Sequence, residues 1–96
     1  MTVEDYMEAV SHRYDLSKGA KCLLYDLIMV WNDWHEKGID WDGYFYATDR
    51  GEGKYVIGER WGTDTYARYR KELIEKGCIE YDRGYGGGAS RYKLFL

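Results

Sequence analysis

Residues 63–96, TDTYARYRKELIEKGCIEYDRGYGGGASRYKLFL, constrain the fold most, because their hydrophobic period changes once and the change is abrupt. From about Asp64 to Lys76 the pattern is helical, with Thr63 as the natural N-cap. Cys78–Arg83 and Arg91–Leu96 then alternate as paired strands do, placing Ile79, Tyr81, Tyr92, Leu94 and Leu96 toward a core. Gly84-Tyr85-Gly86-Gly87-Gly88-Ala89-Ser90 joins them, and three consecutive glycines accept the positive φ that a hairpin tip needs. The end of the chain is therefore a helix followed by a glycine-tipped hairpin.

The preceding residues supply what such a unit packs against. Thr2-Val3-Glu4-Asp5 is a capping-box start, and Val3, Tyr6, Met7 and Val10 at helical spacing predict an amphipathic helix over 3–12. A helix of this kind packs on its own domain or on a second copy, so a homodimer through residues 3–12 or through the 18–37 helix is one expectation. Ser17 caps that next helix. Its Ala20, Leu23, Leu24, Leu27, Ile28, Trp31 and Trp34 keep a 3.6-residue period until Gly38. Large aromatics on such a stripe are core residues, and His35 near the C-terminal end sits favourably against the helix dipole. DWDGYFYAT (40–48) predicts a turn and a short strand at Tyr44-Phe45-Tyr46. A glycine-weakened helix follows around Lys54 to Arg60, then a turn at Trp61-Gly62. Gly51-Glu52-Gly53-Lys54 lacks the spacing and the following Ser or Thr of a phosphate loop, so it reads as a connector. The expected architecture is one α+β domain over 1–96, with 1–13 as a helical extension.

Ninety-six residues suit one modest core rather than an enzyme with a second lobe, and 45% apolar residues with eleven Tyr and four Trp can fill it. The net charge is −3 and is unevenly spread. Residues 1–16 and 17–63 are acidic; only 64–96, with seven bases and five acids, has a basic excess. Cys22 and Cys78 belong to no CxxC or CxxH pair, which fits two buried thiols in a reducing cytoplasm. No export signal and no apolar run near 18 residues are visible, so membrane insertion is not expected.

LSKGAKCLLYDLI (16–28), DGYFYAT (42–48), TYARYRKELIEKGCIEYDR (65–83) and SRYKLFL (90–96) together resemble the winged helix-turn-helix N-terminal domain of plasmid replication initiators. The resemblance covers roughly residues 14–96, and its KELIEKGCIEY core occurs in winged helices of many kinds. One position departs: Arg70 stands where that family has an apolar residue, and Tyr66, Tyr69 and Leu73 supply the core face instead. The resemblance implies a DNA-binding protein of a phage or plasmid element, a replication-initiator-like protein or a transcriptional regulator. A recognition helix over 63–76 would enter the major groove, and a wing over 78–96 would lie on phosphates. Thr63, Asp64, Thr65 and Arg68 would read base edges, with Lys71 further along. Arg68 is the leading base contact, since its planar fork matches guanine O6 and N7. Lys54, Arg83, Arg91 and Lys93 would hold phosphates, joined by the amides of Thr65 and Tyr66.

The same charges have an internal use. Asp64 and Arg68, Arg68 and Glu72, and Lys71 and Glu75 are each four apart, and Glu80 and Asp82 alternate onto the face of Arg91 and Lys93. If these pair, little long-range attraction is left. The competing expectation is a protein-binding winged helix, a small inhibitor or adaptor of a host protein such as a phage anti-defence protein, with Trp41, Tyr44, Tyr46, Trp61 and Tyr85 as contacts. Catalysis is not expected: no nucleophile has a base at motif spacing, and His12 and His35 fall on different helices. No metal site or other cofactor is expected either, because Asp40, Asp42 and Asp49 are explained by turn formation and solubility.

Overall fold

The computed structural model of the protein describes residues 2–38, 43–47, 63–83 and 90–96. Helix α1 spans Val3–Ser11. The Asp5 amide donates to Thr2 Oγ1 at 3.2 Å and the Thr2 amide donates to Asp5 Oδ2 at 2.9 Å, the reciprocal cap its sequence predicts. Val10 is fully buried, and the Tyr6 ring meets Trp31 edge-on with centroids 4.6 Å apart. The start of α1 therefore lies by the later half of helix α2 (Lys18–Glu36), and the extension packs on its own domain.

Helix α2 is the centre of the molecule. The Ala20 amide donates to Ser17 Oγ at 3.2 Å, and Ala20, Leu23, Leu24, Leu27, Ile28, Val30 and Trp31 are buried along one face. Each large side chain contributes about 1.5–3 kcal/mol on burial, against about 1 kcal/mol for a cap, so the stripe rather than the cap fixes this helix. Trp34 is half-buried, and its indole donates to the Tyr46 carbonyl at 3.0 Å, tying α2 to strand β1 (Tyr44–Ala47).

Helix α3 spans Thr63–Glu75, so Thr63 lies in the first turn instead of capping it. Its end is encoded by Gly77. That residue takes φ 72°, its amide donates to the Ile74 carbonyl at 3.0 Å, and the Cys78 amide donates to the Leu73 carbonyl at 2.9 Å. This pair of bonds satisfies two carbonyls the helix leaves open and turns the chain into strand β2 (Ile79–Asp82).

Strand β3 (Ser90–Leu94) returns between the other two, giving an antiparallel sheet of order β1-β3-β2. The register sets Phe45, Tyr92 and Tyr81 in one row across the inner face, with Ile79 beside Leu94 and Ala47 beside Ser90. The other face carries the rows Tyr44, Lys93, Glu80 and Tyr46, Arg91, Asp82. Among the described residues the protein is thus an α+β domain of three helices and one three-stranded antiparallel sheet, its core shared by α1, α2, α3 and the inner sheet face. Both cysteines are free, Cys78 buried and Cys22 half-buried, and burial pushes the Cys78 thiol above its ordinary pKa. The helix expected around 54–60, the Trp61-Gly62 turn and residues 84–89 of the hairpin tip lie outside the described residues, as do Lys54, Trp41, Tyr85 and the carboxylates Asp40, Asp42 and Asp49.

Candidate nucleic-acid interface

Helix α3 divides into two faces. Tyr66 and Leu73 are buried and Tyr69 is half-buried against the core, while Asp64, Arg68, Lys71 and Glu75 are exposed on the opposite side. Thr65 is half-buried at the margin. Arg68 projects outward with its guanidinium 5.5 Å from the Tyr69 ring centroid, and it forms no ion pair among the described residues.

Two of the three predicted pairings along this helix are absent. Glu72 turns from Arg68 to the start of α2, where Oε2 accepts from the Ser17 amide and Oε1 from the Ser17 hydroxyl, both at 2.7 Å. A carboxylate at a helix N-terminus meets open N–H groups and the positive end of the dipole, a stronger attraction than an exposed ion pair on one helix offers. Asp64 has no pairing with Arg68, and only Lys71 and Glu75 come together, at 4.0 Å and largely exposed. Glu72→Ala should cost about 1–2 kcal/mol in chemical denaturation, charge-assisted hydrogen bonds being the stronger kind. Glu72→Gln should restore part of that; a loss below the error of the measurement would show that the α2–α3 junction does not depend on this carboxylate.

The hairpin uses its charges internally, as alternation predicts. Arg91 Nη2 lies 2.8 Å from Asp82 Oδ2, and its guanidinium stacks on Tyr44, 4.2 Å from the ring centroid. Lys93 Nζ lies over Tyr44 at 5.2 Å and Phe95 at 5.6 Å. Glu80 takes the Tyr44 hydroxyl proton as a hydrogen bond at 2.6 Å, which raises the tyrosine pKa. Arg83 is exposed and makes no ion pair among the described residues. Of the expected phosphate contacts, Arg91 is therefore engaged, Lys93 is half-covered by rings, and Arg83 is open.

Arg70, the residue that departs from the family pattern, does not face outward. Its guanidinium lies 4.2 Å from the Tyr81 centroid and 5.0 Å from that of Tyr66, and Nη1 reaches the Tyr92 hydroxyl at 3.5 Å. Stacking on aromatic faces suits a guanidinium better than an ammonium, and here it joins α3 to β2 and β3.

The segment between α1 and α2 wraps the other end of α3. Arg13 binds Asp15 through two bonds of 2.9 Å and donates from Nη2 to the Lys76 carbonyl at 3.4 Å, close to the end of α3. The bonds from Arg13 hold the Asp15 carboxyl at a pKa of about 2. Beyond them lie Lys18, exposed, and Lys21, whose ammonium is 5.6 Å from the ring centroid of Tyr14; neither has an ion pair among the described residues. Sequence reasoning passed over these two lysines. The first turn of α2 contains no acid and two bases, and the carboxylate that the helix dipole favours at this end comes from Glu72 of α3 instead.

Among the described residues no group of His, Cys, Asp and Glu is placed to hold a metal ion, and no helix is long and apolar enough to cross a membrane. No protein-family description, curated protein or solved structure matches the chain.

Proposed function

We propose that the chain is a winged helix-turn-helix domain that binds double-stranded DNA, a replication-initiator-like protein or transcriptional regulator of a phage or plasmid element. The observation that carries this reading is Arg68, exposed on the outer face of α3 with its charge unspent among the described residues. The sheet order β1-β3-β2, with α3 leading directly into the hairpin, supports the fold half of the proposal. Arg68 reads a base edge, Lys71 and Arg83 approach phosphates, and Arg91 contributes only by exchanging Asp82 for a phosphate. An acidic protein can bind DNA when its basic residues share one side, because attraction is local over about 8–10 Å at physiological salt.

The test is a titration of the chain with mixed-sequence duplex DNA from low to moderate ionic strength. Binding should weaken steeply as salt rises. Arg68→Ala should lower affinity about tenfold, as the loss of one good base contact does, and Arg91→Ala should lower it less because Asp82 already holds that charge. Salt-independent binding, or none at low ionic strength, rejects the proposal.

A second reading rests on the outer sheet face, where Tyr44 and Tyr46 stand among charges already paired or covered. Rings with neutralised surroundings suit a protein partner, as an inhibitor or adaptor of a host protein would need. On that reading a tagged copy recovers one host protein stoichiometrically, nuclease does not release it, and Tyr44→Ala abolishes recovery.

A further inference from the structure

We infer that the outer face of α2 is a self-association surface, which pairs antiparallel with the same face of a second copy of this chain about a twofold axis at the level of Leu27. The inference does not rest on the DNA-binding reading and needs no nucleic acid.

Turned away from the buried stripe of α2 is a second row, Lys18, Cys22, Tyr25, Met29, Asn32 and Glu36. Its steps are 4, 3, 4, 3 and 4 residues, the repeat by which one helix lays a continuous seam along another. The middle of the row is apolar: Met29 is 54% exposed, and Cys22 and Tyr25 are half-buried. An exposed Met29 by itself would need no explanation, since scattered apolar side chains are common on surfaces. Its place at the centre of a row with a seam's spacing, on the side of a helix that has already filled its core, is what asks for a partner.

The charges choose the occupant and its direction. Lys18 begins the row and Glu36 ends it, both exposed. Lys18 forms no ion pair among the described residues, and Glu36 accepts only a bond of 3.3 Å from the Asn32 amide, a neutral donor that leaves its charge in place. Laid antiparallel on itself, the row sets Lys18 against Glu36, Cys22 against Asn32 and Tyr25 against Met29 of the second copy, each pair occurring twice. Thioether and ring then meet at the centre, and opposite charges meet at both ends. A parallel pair would set Lys18 on Lys18 and Glu36 on Glu36 and align the two helix dipoles. The row is therefore complementary to itself in one direction only.

The charges beside the row have uses within their own chain. Asp33 pairs with Lys37 at 3.2 Å, the Lys21 ammonium lies over Tyr14, and Asp26 also has a partner. Glu72, held by Ser17, stands near the start of α2, but the Lys18 to Glu36 pairing is a contact between two side chains and does not depend on the field at that end. Exposed ion pairs are individually weak, so the apolar centre supplies the attraction and the charges fix orientation and register. From Lys18 to Glu36 the seam is about 27 Å long. An interface of one helix against another is small, so the dimer should form with a dissociation constant on the order of tens of micromolar.

The test is sedimentation velocity on the full chain over rising concentration, without nucleic acid. The unaltered chain should shift from monomer to dimer, and Met29→Lys, a change at an exposed position, should abolish the shift. Lys18→Glu and Glu36→Lys should each weaken association about tenfold, because each turns two attractive end pairs into repulsive ones. An equimolar mixture of these two variants should dimerise as the unaltered chain does, since glutamate 18 of one then faces lysine 36 of the other at one end and the original pair remains at the other. Circular dichroism of each variant establishes that its fold is kept, and rescue on mixing cannot come from repairing a damaged fold. Asn32→Cys should be joined to Cys22 of a second copy by a short bifunctional thiol reagent, whereas the unaltered chain should not be joined through Cys22 alone. A chain that stays monomeric to about millimolar concentration overturns the inference. A dimer untouched by Met29→Lys places the contact elsewhere and overturns it too. Crosslinking of the unaltered chain through Cys22, or no rescue in the mixture, overturns the antiparallel arrangement.

Discussion

Tyr92→Ala is expected to lower the stability of the chain by about 3–5 kcal/mol, the range found when a buried aromatic is truncated in a packed core. Tyr92 is fully buried at the middle of the central strand. Its ring stacks on Phe45 at 5.9 Å and touches Tyr81 at 5.1 Å, so one side chain holds β3 to both neighbours. Its hydroxyl lies 3.0 Å from that of Tyr66 and 3.5 Å from Arg70 Nη1, which brings α3 onto the same point. A domain of this size has only about 5–15 kcal/mol in total, so the alanine variant should lose a large share of it and unfold at a markedly lower denaturant concentration. The hydroxyl share is separable from the ring share. Tyr92→Phe and Tyr66→Phe should each cost about 1–3 kcal/mol, because each leaves a buried partner short of a bond, and the double variant should cost less than their sum. The readout is chemical denaturation at constant m. A Tyr92→Ala loss under about 1 kcal/mol would mean the sheet does not close on α3 in this way.

The two kinds of information in the chain were not equally legible. Periodicity placed α1, α2, β1, α3 and the paired strands to within one or two residues, since a buried stripe needs only spacing to declare itself, and Leu23, Leu27, Leu73, Tyr92 and Leu94 all fall inside as their spacing predicts. The site was harder to read. Glu72 sits four residues from Arg68, and local spacing assigns it to a pairing on its own helix. Its actual partner is Ser17, 55 positions earlier, which no local pattern can reach. Arg70 stands where the resemblance expects an apolar residue, and its partners, the rings of Tyr66 and Tyr81 and the hydroxyl of Tyr92, lie partly on strands that no local pattern connects to it. By contrast Asp82 and Arg91 pair as expected, because a hairpin register of alternating charges is itself a local pattern. Side chains whose partners come from distant elements are the ones sequence misplaces, and in this molecule they decide which cations stay open.

Gly19 provides the sharpest check on the α2–α3 junction, because two effects of a single methyl group oppose each other there. Gly19→Ala should favour the helix by about 0.5–1 kcal/mol through reduced chain entropy. The same methyl group would overlap the Tyr69 ring, and forcing an extra carbon into a packed contact costs about 1–3 kcal/mol. Packing should win, so the variant is expected to be less stable by about 1–2 kcal/mol, the difference of the two effects. Tyr69 has little room to yield: one side of it packs on the core and Arg68 stacks upon it. In a Tyr69→Ala background the overlap is gone, and Gly19→Ala should become neutral or stabilising, giving a coupling between the two sites of about 1–3 kcal/mol. The junction also orients Arg68, so Gly19→Ala should weaken duplex binding by more than its loss of stability accounts for when measured well below the melting temperature. If Gly19→Ala instead stabilises the chain with Tyr69 in place, the ring has somewhere else to go, and the α2–α3 junction does not depend on this close approach.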